Sequence, residues 1–395
     1  MKPGVAARRA AATAVGRILR SGAYSNRLID ASSLQGPDAD LFRFLTYTTL
    51  RHLARIDAVL ESNSNKSVAS LDADVVDVLR VAVAELLYGR APEHAIVDSA
   101  VESIKSGARR RASGFVNGVL RTVIRTGRGE VAVHDPRDEY PDWLVGQLDA
   151  EWPTQEVTAF LTASLGDAPR QVRARPGSDT DGLTPVVGIA GAFEWTDHGA
   201  VAGGFVVQDA ASVAVGNAVP LAPGDLVLDM AAAPGGKAIH LLDRGARVVA
   251  ADRHLRRVRD GNRRAPGLAW LVADGLAAPF KPDSFDHVLL DAPCSGLGTM
   301  RRRPEVRYRL DPGSASVMGV RQRLLLEAAL SLVKPGGTVT YSVCTVTPEE
   351  TVGVVAGLDA EAPSGTPGRA WGNGVLFGPH LTGTDGMFIS VVRRS

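Results

Sequence analysis

Two cysteines, four aspartates and one glycine-rich turn are the residues of this 395-residue chain whose types and spacing could do chemistry. In Asp225-Leu-Val-Leu-Asp-Met-Ala-Ala-Ala-Pro-Gly-Gly-Lys237 a short apolar run ends on an acid and opens at once into small residues. Leu226, Val227 and Leu228 have the character of a buried parallel strand. Gly235 and Gly236 permit positive φ and a close approach of backbone to a ligand, beside the free N–H groups of a helix N-terminus. The spacing fits neither the dinucleotide pattern Gly-x-Gly-x-x-Gly nor the triphosphate pattern Gly-x-x-x-x-Gly-Lys-Ser/Thr. Taken alone, a Gly-Gly turn after a strand can equally be a structural turn.

From residue 224 onward strand-like and helix-length segments alternate, with strands near 226–230, 247–251, 269–273, 286–291, 337–342 and 387–392. This pattern predicts a doubly wound α/β sheet, whose ligands lie beyond the C-terminal ends of its strands. Asp229, Asp252, Asp274 and Asp291 then fall at the ends of successive strands and line one edge. Asp252 is placed to accept the ribose hydroxyls of an adenosine, and Asp274 to accept from its adenine amino group. Each acid alone would read as a loop or cap residue. Together, without a phosphate loop, they suggest S-adenosylmethionine. Both cysteines sit at strand exits of the same edge, Cys294 in Asp291-Ala-Pro-Cys-Ser-Gly-Leu-Gly298 and Cys344 in Thr340-Tyr-Ser-Val-Cys-Thr345. A lone cysteine is more often a small buried hydrophobe, but two at one crevice point to nucleophilic chemistry.

The rest of the chain must position these groups. Residues 5–125 carry apolar residues at three- and four-residue steps, such as Val75, Val78, Leu79, Ala82 and Leu86, broken by turn signals at Ser21-Gly22, Gly36-Pro37 and Gly89 to Pro92. They predict a helical bundle. His134-Asp-Pro-Arg and Tyr140-Pro-Asp-Trp143 mark a linker, Trp143 to Leu165 has helical spacing, and 204–208 reads as a strand entering a helix. Ala356 to Gly378, rich in Gly and Pro, reads as a loop. Thr347-Pro-Glu-Glu350 reads as a helix capping box.

The net charge of +1 conceals basic clusters at Ser103–Gly129, Arg253–Arg264 and Arg301–Arg309, which favour a polyanionic partner. The last would turn its guanidinium groups to phosphates and Tyr308 to a base. With 45% hydrophobic and 22% charged residues the chain has an ordinary globular composition. No apolar run approaches the roughly 20 residues of a membrane span. Arg8, Arg9 and Arg17 interrupt the Ala-rich start, so a secretory leader is not expected and a cytoplasmic location follows. Two cysteines are too few for a structural zinc site, and neither a metal nor a membrane partner is expected.

The stretches Ala-Tyr-Ser-Asn at 23–26, His94-Ala-Ile-Val-Asp-Ser-Ala-Val101 and Phe115-Val-Asn-Gly-Val-Leu-Arg121 resemble the NusB-like RNA-binding domain. Ala-Ala-Pro-Gly-Gly-Lys, Asp-Ala-Pro-Cys-Ser-Gly and Tyr-Ser-x-Cys-Thr resemble the RNA cytosine-5 methyltransferases. Joined in one chain, they resemble the bacterial 16S ribosomal RNA cytosine-5 methyltransferases of the RsmB (Sun/Fmu) type. The resemblance implies a NusB-like helical domain at 1–130, a linker and small α+β segment at 131–215, and a Rossmann-like methyltransferase domain at 216–395, acting as a monomer. It implies that Ala231, Ala232, Ala233, Pro234, Gly235, Gly236, Lys237, Asp252, Asp274 and Asp291 contact S-adenosylmethionine. Cys344 would be the nucleophile and Cys294 would serve product release, although DNA cytosine-5 enzymes use the Pro-Cys position. Carbon 5 of cytosine is too electron-poor to attack a methyl group until a thiolate adds to carbon 6. Asp291, held protonated by burial, could then donate to ring nitrogen 3. The family's Asn after the Glu pair is Thr351 here. Two other readings remain: a non-catalytic RNA-binding or termination factor, and a cytosine-5 methyltransferase acting on tRNA or DNA.

Overall fold

The computed structural model describes residues 4–126, 135–196, 201 and 203–395, so Arg128 of the first basic cluster and His134 of the linker lie outside the described residues. The chain divides into two compact units, one running to Leu165 and taking in Arg302–Leu310, the other comprising Gly166–Arg301 and Asp311–Ser395.

The first unit is helical: α1 (Val5–Ser21), α2 (Ser25–Asp30), α3 (Gly36–Arg51), α4 (Leu53–Ser62), α5 (Ala73–Tyr88), α6 (Glu93–Lys105), α7 (Ser113–Thr126), α8 (Asp142–Asp149) and α9 (Thr154–Leu165). Ala7, Ala11, Ala14, Val15 and Ile18 form one buried stripe of α1, the periodicity that makes this segment a helix. It stops at Gly22, whose φ of 62° lets its N–H return to the Ile18 carbonyl. On α5 the buried Asp77 and Glu85 would be costly unpaired, and each is matched from α1: Arg20 to Asp77 and Arg8 to Glu85, both at 2.6 Å. Leu79, Val83 and Leu86 then centre a core with Ile56, Ile96 and Leu120.

The segment Arg302–Leu310 belongs to this unit, and its chemistry differs from the sequence expectation. Arg307 is fully buried, donates to the carbonyls of Glu139 and Pro304, and lies 4.1 Å over the Tyr140 ring. The Tyr308 hydroxyl donates to the Leu50 carbonyl, and the buried Glu305 carboxylate accepts from the N–H and hydroxyl of Ser25. Arg301, in the other unit, is buried too and donates to the Gly383 carbonyl. Arg301, Arg307 and Tyr308, expected to face phosphates and bases, are therefore consumed by packing, while Arg309 stays exposed. Exposed basic surface remains in each unit: Lys105, Arg109, Arg110, Arg111, Arg121 and Arg125 of the α6–α7 region, and Arg253, Arg256, Arg259, Arg263 and Arg264 of the second cluster. Asn117 bridges to Arg121 within α7.

The second unit begins with a small antiparallel sheet of β1 (Gln171–Ala174), β2 (Thr184–Pro185), β3 (Ala192–Glu194) and β4 (Phe205–Val207), followed by α10 (Ala210–Ala218). Then come β5 (Leu226–Asp229), α11 (Gly236–Asp243), β6 (Arg247–Asp252), α12 (Leu255–Arg264), β7 (Ala269–Val272), β8 (Phe285–Asp291), α13 (Ser314–Leu332), β9 (Val333–Val343) and α14 (Val352–Val355). The chain closes with β10 (Ala360–Glu361), β11 (Arg369–Trp371), β12 (Gly374–Phe377) and β13 (Met387–Arg393). The stretch read as a loop from Ala356 to Gly378 thus contains three short strands. Val375, Leu376 and Phe377 are buried against β13, and that burial outweighs the local Gly and Pro content. The large sheet has the order β11-β12-β13-β9-β8-β5-β6-β7, parallel from β7 through β9 and antiparallel beyond. Val227, Leu228, Val288, Leu289 and Leu290 are fully buried, as expected for central strands covered on both faces.

Candidate active site

Because β5, β6, β7, β8 and β9 run parallel, their C-terminal ends share one edge, and that edge gathers the residues singled out in the sequence. Asp229 and Asp252 end β5 and β6, Asp274 follows β7, Asp291 ends β8, and Cys344 follows β9.

The glycine turn is shaped by sterics. Gly235 has φ 104° and precedes α11, and a side chain on it would meet the Trp270 ring at 3.1 Å. Ala232 and Ala233 are buried, Ala231 and Gly236 half-buried, Pro234 exposed. The Ala232 N–H donates to the Ala251 carbonyl at 2.8 Å, tying the turn to β6. Asp229 is 1% exposed, and among the described residues its one nearby donor is the Ala231 N–H, which does not reach good hydrogen-bond geometry with either carboxylate oxygen. Burial, reinforced by the charge of Asp291 and only partly offset by Lys237, pushes its pKa up to about 7. Asp252, also buried, accepts from the His254 N–H at 2.9 Å and pairs with Arg257 at 3.2 Å. Asp274 is exposed and accepts from the Leu276 N–H at 3.1 Å, a local cap that leaves its second oxygen open.

Lys237 reaches from the first turn of α11 to Asp291 at 2.7 Å. Burial works against its charge, but the Asp291 pair outweighs it and the net shift is upward, keeping the ammonium charged. The other Asp291 oxygen accepts from Ser342 at 2.9 Å. The two sulfurs lie 3.2 Å apart. The hydrogen bond to Cys344, followed by burial and the charges of Cys344 and Glu350, pushes the Cys294 thiol well above its ordinary range, so it is protonated at neutral pH. Lys237 lies within electrostatic reach of Cys344.

Several participants went unnoticed in the sequence. Ser342 is buried in β9 with its hydroxyl on Asp291, and its place two residues before Cys344 was the available signal. The capping-box pattern predicts that the Glu350 carboxylate reaches back to the backbone. Its oxygens accept instead from Ser295, Gln322, Thr345 and Thr347, because the loop after β9 folds over the Cys294 loop and brings hydroxyls closer than the helix end. Thr351, the departure from the family pattern, donates to the Thr347 carbonyl and accepts from Trp371.

A buried carboxylate without a well-formed hydrogen bond, a turn held open by glycine and a second buried acid at the next strand end suit a ligand carrying both a cation and a ribose. S-adenosylmethionine has this form, with its sulfonium and ammonium groups.

The family model described as 16S rRNA methyltransferase RsmB/F matches residues 218–393, and the NusB family model matches residues 5–125. Ribosomal RNA small subunit methyltransferase B of Thermus thermophilus is 33% identical over 98% of this chain and 97% of its own. The enzyme of the same name from Salmonella paratyphi B is 32% identical over 86% of each. The crystal structure of PH0851 superposes with a TM-score of 0.79 at 22% identity, covering 100% of this chain and 99% of that one, a likeness of fold. No helix among the described residues is long and apolar enough to cross a membrane. The chain belongs to the RsmB/F family of RNA cytosine-5 methyltransferases, enzymes that use S-adenosylmethionine, and it carries a NusB-family domain ahead of the catalytic one.

Proposed function

We propose that this protein methylates carbon 5 of a cytosine in 16S ribosomal RNA, with Cys344 as nucleophile and Cys294 as the group that serves release. One observation carries the reading: two thiols 3.2 Å apart at the strand edge that also holds the Lys237–Asp291 pair. The relatives named as small-subunit methyltransferases over nearly the whole chain support the choice of RNA. In this reading residues 1–130 hold RNA, 131–215 link, and 216–395 hold the catalyst, and the protein works as a monomer without a metal.

Ala231 to Lys237, Asp252, Asp274 and Asp291 would hold S-adenosylmethionine, which supplies an electrophilic methyl group. Cys344 adds as thiolate to carbon 6 of the cytosine, moving electron density into the ring. The Lys237 ammonium, paired with the Asp291 carboxylate, supplies through that carboxylate the proton that ring nitrogen 3 takes up, which neutralises the charge arising there and leaves the Lys237–Asp291 pair one proton short until turnover ends. Carbon 5 is then nucleophilic. After methylation the carbon 5 proton passes to solvent water, the double bond re-forms with expulsion of the Cys344 thiolate, and the proton on ring nitrogen 3 returns to the Asp291–Lys237 pair. A protonated Cys294 thiol beside it can return a proton to the leaving sulfur, which suits Cys294 to release and not to attack. The target base must be unstacked to reach the edge.

The test is transfer of a labelled methyl group to small-subunit ribosomal RNA, tRNA and duplex DNA in parallel, followed by bisulfite mapping. Label at one cytosine of the ribosomal RNA is the expected result. Preference for tRNA, or binding without labelling, would replace this reading with one of the two alternatives.

A further inference from the structure

Glu350 is completely buried, yet every donor it meets is neutral. Oε1 accepts from the Ser295 N–H at 2.7 Å and Gln322 Nε2 at 3.0 Å. Oε2 accepts from the hydroxyls of Ser295, of Thr345 at 3.1 Å and of Thr347 at 3.0 Å. Ser295 follows Cys294 in the chain and Thr345 follows Cys344, so one carboxylate grips the residue next to each thiol. Gln322 of α13 adds a second tie by donating to the Pro293 carbonyl at 2.9 Å. The Tyr341 hydroxyl donates to the Glu350 carbonyl at 2.7 Å and lies 3.2 Å from the Gln322 side-chain oxygen. Placing a carboxylate in such a site is unfavourable unless its lone pairs are filled, and here they are filled by the two loops that carry the sulfurs.

We propose that the Glu350 carboxylate is a positioning residue for the reaction: it clamps the Cys294 and Cys344 loops together and fixes the separation at which both thiols serve one pyrimidine. The inference rests on the roles given above to the two cysteines. A charged acceptor draws donors in more strongly than an amide, so Glu350→Gln keeps the shape while weakening the grip and turning an N–H₂ group toward existing donors. The effective concentration of one thiol at the other reports the spacing directly. It is read from the ratio of disulfide to dithiol in the full-length, ligand-free protein equilibrated with oxidised and reduced glutathione, where glutathione disulfide takes the two electrons and the two thiol protons.

The expected result for Glu350→Gln is a fall of about tenfold or more in both this effective concentration and kcat, with KM for RNA and cofactor within about twofold of wild type. An unchanged thiol equilibrium overturns the proposal, whether or not kcat falls, and so does a loosened equilibrium with unchanged kcat. If Glu350→Gln does not fold, Ser295→Ala, which removes one hydroxyl and keeps the N–H, is read by the same criteria with a smaller shift. If the wild-type protein transfers no methyl to any RNA, the functional reading falls, while the thiol equilibrium still decides whether Glu350 sets the spacing.

Discussion

Two buried carboxylates stand at the same edge of the same sheet and are treated in opposite ways. Asp229, at the end of β5, has among the described residues only the Ala231 N–H near it and no well-formed hydrogen bond, whereas Glu350, beyond β9, accepts from Ser295, Gln322, Thr345 and Thr347. The difference separates two tasks. A saturated carboxylate is architecture and holds backbone in place before any ligand arrives. An unsatisfied one makes the ligand-free protein less stable and leaves attraction for an incoming cation. The thiol end of the edge is therefore organised in advance, and in the proposed reading the β5 end is left to be completed by the cofactor.

The largest effect should come at the organised end. Cys344→Ala is expected to lower methyl transfer by at least about 10³-fold and to leave no covalent RNA adduct on denaturing gels. Cys294→Ala should permit addition but slow release by about 10²-fold, so that an adduct accumulates with unmodified RNA. An adduct with Cys344→Ala and none with Cys294→Ala would exchange the two roles.

At the unsatisfied end, Asp229→Asn should weaken cofactor binding by about tenfold to a hundredfold, measured by calorimetry. It should also stabilise the ligand-free protein at alkaline pH. The folded-state pKa of Asp229 is raised to about 7, above that of the unfolded chain, so ionisation opposes folding. The penalty is full above pH 7 and disappears as pH falls toward 4. Asn should therefore raise Tm at pH 8 and leave it unchanged near pH 4. A lower Tm at pH 8 would mean that Asp229 is structurally held after all, and would erase the contrast with Glu350.

The smallest effect belongs to the helical unit. Replacing the exposed Arg121 and Arg125 with Ala should weaken RNA binding by about three- to tenfold and flatten the salt dependence by about one to two units of slope. The same replacement of the buried Arg307 should lower Tm, since its donors serve Glu139 and Pro304.

Strand ends were legible because β5, β6 and β8 are apolar runs ending on an acid, a pattern that fixes both burial and edge. Cys294 was legible from the acid that ends β8, and Cys344 from the strand-forming run of β9 that it follows. What could not be read depended on contacts distant in sequence. Glu350 looked like a cap because Thr347 and Pro348 are its near neighbours, while the partners that redefine it, Ser295 and Gln322, lie 55 and 28 residues away. Arg307 and Tyr308 looked free because a basic run says nothing of the Glu139 and Leu50 carbonyls that take up their donors.

The central claim is that Cys344 attacks while Cys294 stands by. Its most direct test is peptide mapping of the covalent complex formed with S-adenosylmethionine and a small-subunit RNA fragment carrying 5-fluorocytosine, whose carbon–fluorine bond blocks release. The pyrimidine should be found on the peptide containing Cys344, and its appearance on the peptide containing Cys294 would contradict the account.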